Sequence, residues 1–214
     1  WSYYGDLRVL DGTTGAAVAM FPGAAGSPPA FSPDGRLVAS SQRGKQPTIA
    51  VWDVASGQEV ARLAGYANAL AFSPDGAILA GNWAGITLWS VDTQEEAGTL
   101  EGHTRGVTSL AFTPDGNTLA SGGNDGAIKL WDVAAAQEVG ELPGPVGGTY
   151  SVAFGPHGDM LAGGGNGAIR LWDVARRQEI ATLTGHTDVV QSVEFSPDGA
   201  TLASVRSDRT VRLW

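Results

Sequence analysis

The sequence predicts an all-β protein built from one motif of four short antiparallel strands that recurs about every 41 residues. Three observations lead to this prediction. A five-residue turn phrase occurs five times at nearly constant spacing, and a phrase centred on tryptophan occurs in step with it. Between these phrases the apolar residues alternate as in half-buried strands, and no stretch carries the apolar stripe of an amphipathic helix.

The turn phrase has the form Phe-Ser-Pro-Asp-Gly. Its copies begin at Phe31, Phe72, Phe112, Phe154 and Phe195, so they follow one another at intervals of 41, 40, 42 and 41 residues. Proline presets φ for a turn, and glycine supplies the positive φ at its end, so each copy predicts a hairpin turn between two strands, a and b. In the fourth copy His157 replaces the aspartate, and we interpret it as a turn residue.

The tryptophan phrase closes each repeat. It reads Val51-Trp52-Asp53-Val54 in its first copy, recurs around Trp89, Trp131 and Trp172, and ends the sequence at Leu213-Trp214. Near the start, Val9-Leu10-Asp11-Gly12 lies in the same phase with leucine in place of tryptophan. A short strand c is therefore expected before every one of these positions.

The segment from residue 106 to residue 142 shows the four strands most clearly. Residues 106–112 alternate and form strand a, residues 118–121 form strand b, residues 127–131 form strand c, and residues 138–142 form a weaker strand d. The segment Asn124-Asp125-Gly126 is a tight-turn signal between strands b and c. One such sheet cannot bury both of its faces, whereas sheets stacked around an axis can, and that arrangement is a β-propeller.

These phrases resemble the WD40-repeat family, and the Ala- and Gly-rich repeats look like a bacterial array. The family marks are Gly102-His103 and Gly185-His186, an aspartate in the b–c turn and the closing Trp-Asp. The resemblance implies a single propeller domain over residues 1–214, with repeats at approximately 11–52, 53–89, 90–131, 132–172 and 173–214 and a remnant of a preceding repeat at 1–10. Two architectures stay open: a closed five-bladed ring completed by residues 17–21, or an arc of a larger propeller.

The same resemblance implies a buried hydrogen-bonded tetrad in two repeats. One tetrad is His103, Ser121, Asp125 and Trp131, and the other is His186, Ser204, Asp208 and Trp214. Each contains the residue types of a Ser-His-Asp catalytic triad. Because the set recurs at one register, we expect a structural role and assign no catalytic residues.

Members of the family commonly bind partners on the face that carries the d–a and b–c loops. Carried onto this sequence, the partner-binding positions are Tyr66, Asn68, Trp83, Thr108, Asn124, Tyr150, Gln191 and Ser207. The three aromatic residues among them are typical interface anchors. They fall in repeats without a tetrad, so the alternative that their rings fill the space of the missing tetrads also stays open.

The composition narrows the function classes. The chain has no cysteine, a net charge of −9 and a pI near 4.6, and its basic residues are scattered. We therefore expect no nucleic acid, membrane, metal or cofactor as a ligand, and we expect a cytoplasmic protein without a signal peptide or transmembrane segment. The predicted function is a non-catalytic scaffold for protein–protein or protein–peptide interaction. The alternatives are a ligand-sensing module of a bacterial signalling kinase or NTPase and, with less support, a propeller enzyme. An incomplete propeller would also expose apolar sheet faces and self-associate.

Overall fold

The structure is a computed structural model that describes residues 5–22, 28–42, 47–82, 85–206 and 210–214. These residues form strands and turns with no helix among them, so the predicted all-β class is confirmed. It follows that this part of the chain has no helix able to cross a membrane. The chain separates into two compact units, Trp1–Thr99 and Leu100–Trp214.

The first unit contains a two-stranded sheet followed by two four-stranded sheets. Its strands are β1 (Leu7–Leu10), β2 (Ala17–Phe21), β3 (Ala30–Phe31), β4 (Leu37–Gln42), β5 (Thr48–Asp53), β6 (Glu59–Ala64), β7 (Leu70–Phe72), β8 (Ile78–Asn82), β9 (Ile86–Ser90) and β10 (Glu96–Leu100). Every strand is hydrogen-bonded to its sequence neighbour within its sheet. The pairing of β1 with β2 is antiparallel, as strands c and d pair in the complete sheets.

The second unit contains one four-stranded sheet and one six-stranded sheet. Its strands are β11 (Val107–Phe112), β12 (Thr118–Gly123), β13 (Ala127–Asp132), β14 (Gln137–Pro143), β15 (Ser151–Phe154), β16 (Met160–Gly164), β17 (Asn166–Asp173), β18 (Gln178–Phe195), β19 (Leu202–Arg206) and β20 (Val211–Leu213). The predicted four-stranded antiparallel sheets are thus confirmed, while the number of blades and the closure of a ring stay predictions.

One strand departs from the predicted layout. The sequence suggests that Gly185-His186 separates strand d from strand a within the repeat at 173–214, but both residues lie inside β18, which is 18 residues long. The first part of β18 pairs with β17 and its last part pairs with β19. β18 runs without a break through the predicted boundary between strands d and a, because each of its halves finds a hydrogen-bonding partner.

The a–b turns are held by a repeated side-chain arrangement. In the third copy the Thr113 hydroxyl donates to Asp115 at 2.6 Å and accepts the backbone N–H of Thr118 at 3.0 Å. The bond from Thr113 is the main reason that the pKa of Asp115 lies below its usual value. Serine takes the place of threonine in the copies with Ser32, Ser73 and Ser196.

The c–d turns share a second arrangement. In the third repeat Asp132 accepts the backbone N–H of Ala135 at 2.8 Å, and Ala136 then adopts a φ of 49°. Ala136 is the fifth residue of the turn when Asp132 is counted as the first. The fifth residue also has a positive φ in the other copies, where it is Gly15, Gly57, Gln94 or Arg177. A left-handed conformation at alanine is strained because its Cβ approaches the backbone.

Neighbouring sheets of one unit pack through apolar faces. Ile49 of β5 and Leu79 of β8 belong to one buried cluster of the first unit, and Ile128 of β13 and Leu161 of β16 belong to one in the second. All four side chains are 0% exposed. In the second unit hydrogen bonds reinforce this packing, since the backbone N–H of Val152 donates to the Ser109 hydroxyl at 3.0 Å.

Candidate functional site

The predicted tetrad of the third repeat forms a continuous hydrogen-bonded chain. The Nε1–H of Trp131 donates to Ser121 Oγ at 2.8 Å, and Ser121 Oγ lies 2.8 Å from Nε2 of His103. Nδ1 of the same imidazole lies 2.9 Å from Oδ2 of Asp125. A neutral imidazole protonated at Nδ1 satisfies every link, because it donates to the carboxylate and accepts from the hydroxyl.

Asp125 supplies the carboxylate of this hydrogen-bonded tetrad. Burial disfavours its ionised form, but the bond from the His103 ring and the backbone N–H groups of Thr104 and Ala127 outweigh burial, so the pKa of Asp125 lies below its ordinary value. The Ser121 side chain is 0% exposed and accepts from the Trp131 indole. A nucleophile needs access to its substrate, which a fully buried hydroxyl does not offer.

The second predicted tetrad is visible in three of its four members. His186 Nε2 lies 2.7 Å from Ser204 Oγ, and the Trp214 indole donates to the same hydroxyl at 2.9 Å. Asp208 lies outside the described residues. The Trp–Ser–His chain is therefore repeated with the same donors, acceptors and sequence separations as in the third repeat.

The fourth repeat lacks this chain. Gly163 replaces the serine, and the buried indole N–H of Trp172 has no hydrogen-bond acceptor among the described residues. A Cβ on Gly163 would lie 2.6 Å from Cδ1 of Ile128, so the Ile128 side chain already fills the space that a larger residue would need here. Apolar packing has thus replaced the polar network at this position.

The predicted partner-binding residues Asn124 of the third repeat and Tyr150 of the fourth lie close together in the second unit. Asn124 is exposed and Tyr150 is half-buried. Gly148 passes between them: a Cβ on it would lie 3.5 Å from the Tyr150 ring and 3.6 Å from Cα of Asn124. Gly148 adopts a φ of 118°, so a residue with a Cβ would be strained there and would crowd both neighbours.

Two further residues extend this surface and were not among the predicted positions. Val146, at the tip of the loop that follows β14, is 80% exposed. The exposed Asn166 lies beneath the same loop, since a Cβ on Gly147 would be 2.2 Å from its Nδ2. An apolar residue between a proline and two glycines was the sequence signal for Val146. We call Asn124, Val146, Tyr150 and Asn166 the loop patch.

The other predicted partner-binding residues differ in their exposure to solvent. Asn68 and Gln191 are exposed, and Thr108 is half-buried with its hydroxyl 2.9 Å from the carbonyl oxygen of Gly122. Tyr66 is only 4% exposed, which favours the alternative that its ring fills internal space. Trp83 and Ser207 lie outside the described residues.

Comparison with known proteins places this arrangement in a family. Residues 94–132, 136–173 and 177–214 each match the family model of the WD domain, G-beta repeat (WD40). Over 96 residues, 45% of this chain, the sequence is 35% identical to Centriole proteome protein 16 of Chlamydomonas reinhardtii. That stretch is 4% of the length of the relative. Because the three WD40 matches together cover just over half of its residues, the chain belongs to the WD40-repeat family.

Proposed function

We propose that this WD40 protein is an interaction scaffold that binds a protein or peptide segment through the loop patch. The observation that carries the proposal is that an exposed apolar side chain and an aromatic ring of one loop lie close to two amides from neighbouring turns and strands. Val146 is 80% exposed at the loop tip, and Tyr150 is half-buried at its base. Asn124 lies close to Gly148 of this loop, and Asn166 lies close to Gly147.

The chemistry of the patch suits an extended peptide. The patch has no charged member, so it offers apolar contact and neutral hydrogen bonding. The amides of Asn124 and Asn166 can each donate and accept, as the backbone of a bound peptide requires. Val146 and Tyr150 offer apolar surface for one aliphatic or aromatic side chain of the partner. We therefore expect a neutral segment with an apolar anchor residue.

The loop is held in place before a partner arrives. The backbone N–H of Tyr150 donates to the carbonyl oxygen of Gly164 at 2.8 Å. The Tyr150 hydroxyl donates to the carbonyl oxygen of Gly147 at 3.3 Å. The N–H of Gly148 reaches the carbonyl oxygen of Pro145 at 3.4 Å. A loop ordered in advance loses less conformational entropy on binding, which favours affinity.

The test begins with selection of peptides from a random display library on the immobilised protein. Affinities of the selected peptides are then measured in solution for the parent and for the variants Tyr150→Ala and Val146→Asp. We expect each substitution to weaken binding by about tenfold or more, because residues at the centre of an interface carry most of its energy.

Ile180→Asp is the matched control. Ile180 is an exposed apolar residue of β18, 53% exposed, and lies outside the loop patch. Binding should survive this substitution, and circular dichroism should show that all variants remain folded. Peptides that bind the Tyr150→Ala and Val146→Asp variants as tightly as the parent would refute the assignment of the site.

A further inference from the structure

The outer face of the last sheet is apolar and exposed. Val193 and Leu202 point toward the preceding sheet and belong to a buried cluster with Ala162 and Ile169. The opposite face carries Glu194, Val205, Val211 and Leu213, because the register pairs Glu194 with Ala203, Ala203 with Leu213, and Val205 with Val211. Val205, Val211 and Leu213 are 39%, 64% and 72% exposed. These four residues are the C-terminal face.

This face differs from the equivalent face of the preceding repeat, which another sheet covers. There the a-strand position is Ala153 and the b-strand position is Gly164, and a Cβ on Gly164 would lie 2.9 Å from Val190 of the covering strand. In the last sheet the same positions hold Glu194 and Val205. The larger side chains and the carboxylate of the C-terminal face suit a partner surface that differs from the strand covering the preceding sheet and that supplies a positive charge.

The two-stranded sheet of the first unit exposes a second apolar face. Val9 and Ala19 point toward the following sheet and belong to its buried cluster. The other side carries Arg8, Leu10, Val18 and Met20, and the three apolar residues are 56%, 53% and 54% exposed. Arg8 lies opposite Met20 in the register and is also exposed. These four residues are the N-terminal face.

We propose that two copies of this chain associate head to tail, with the C-terminal face of one copy on the N-terminal face of the next. Each face presents three exposed apolar side chains and one charge, a carboxylate on one and a guanidinium on the other. Contact between two identical faces would oppose like charges, whereas the head-to-tail contact pairs Glu194 with Arg8.

The surroundings of the carboxyl support this pairing. Desolvation by its neighbours raises the pKa of Glu194, as expected for a carboxylate set among apolar side chains. A guanidinium from the second copy supplies the countercharge. Because a head-to-tail contact leaves one free face at each end, association continues beyond the dimer unless a ring closes. Six apolar side chains make a small interface, so we expect a dissociation constant on the order of 10–100 μM.

The experiment is analytical ultracentrifugation of the chain over a range of concentrations, with one face disabled at a time. The parent should show a mass that rises with concentration. Leu213→Asp removes the C-terminal face and Met20→Asp removes the N-terminal face, so each variant alone should stay monomeric. A mixture of the two retains one intact face of each kind and should form a 1:1 complex that grows no further.

Charge reversal provides a second test that leaves the apolar residues intact. Glu194→Arg and Arg8→Glu should each weaken self-association about tenfold or more, and the double variant should recover it. Ile180→Asp, away from both faces, should sediment like the parent. The proposal is overturned if the parent is monomeric at every concentration, if Met20→Asp alone still self-associates, or if the mixture or the double variant fails to recover association.

Discussion

Replacement of Ser121 by alanine tests whether the tetrad holds the third repeat together. The Ser121 hydroxyl oxygen joins the Trp131 indole to the His103 imidazole, because it lies 2.8 Å from a nitrogen of each ring. Trp131 is 1% exposed and the His103 side chain is 4% exposed. Ser121→Ala therefore removes the shared hydrogen-bond partner of two buried nitrogens, Nε1 of Trp131 and Nε2 of His103.

The magnitude follows from these two groups. An orphaned buried polar group costs about 1–3 kcal/mol, so we expect Ser121→Ala to lower the free energy of unfolding by about 2–5 kcal/mol. In urea this corresponds to a decrease of about 1–2 M in the denaturation midpoint, followed by tryptophan fluorescence. Ser192→Ala is the control, since this half-buried serine of β18 lies outside both networks, and it should change stability by less than about 0.5 kcal/mol.

A double-mutant cycle with His103→Ala separates the network from the loss of a single contact. If the two residues act through one hydrogen-bonded chain, the double variant should be less destabilised than the two single variants added together, by roughly 1–2 kcal/mol. A Ser121→Ala variant as stable as the parent, or strictly additive effects in the cycle, would refute the assignment of Ser121 as the joint of the network.

Three further predictions concern stability. The folded state lowers the pKa of Asp125, so its ionised carboxylate stabilises the protein at pH values above the unfolded-state pKa of about 3.9, and this stabilisation is lost as the pH falls. Urea titrations should therefore show that Asp125→Asn costs less stability near pH 3 than at pH 7. Ala136→Gly should raise the free energy of unfolding by about 0.5–1 kcal/mol, because glycine relieves the strain at a φ of 49°, and an unchanged or lower denaturation midpoint would contradict this. Gly163→Ser should destabilise the protein through its clash with Ile128. The double variant Gly163→Ser, Ile128→Val should recover about 1–2 kcal/mol, because the new hydroxyl accepts from the Trp172 indole. Calorimetry should then show the double variant melting at a higher temperature than Gly163→Ser alone.

The features that the sequence predicted well are those whose partners lie within one repeat. Asp125 and His103 are 22 residues apart, and Ser121 and Trp131 are 10 residues apart. A constant repeat length brings such partners to one place in every copy, so the periodicity was enough to expect their contact. The same reasoning explains why strands b and c of the third repeat were expected within two residues of their observed ends.

The repeated sequence phrases do not predict features that depend on packing between neighbouring sheets or on the shape of a loop. The burial of Tyr66 depends on what packs over its ring, and a repeated phrase does not contain that information. The exposure of Val146 arises from a loop that differs from its equivalents in the other repeats, so the family pattern had no position for it. Among the described residues the indole of Trp172 has no acceptor, and this likewise depends on Ile128 of another sheet, which fills the space beside Gly163.

The continuity of β18 has a mechanical consequence. Its last residues are held by β19 and its first by β17, so tension applied to the C-terminus passes along one backbone from the last sheet into the preceding one. Sheets joined by a flexible turn would yield one after another under load. Here we expect the strands from β15 to β20 to give way in a single rupture, seen in single-molecule stretching as one long extension step rather than two shorter ones.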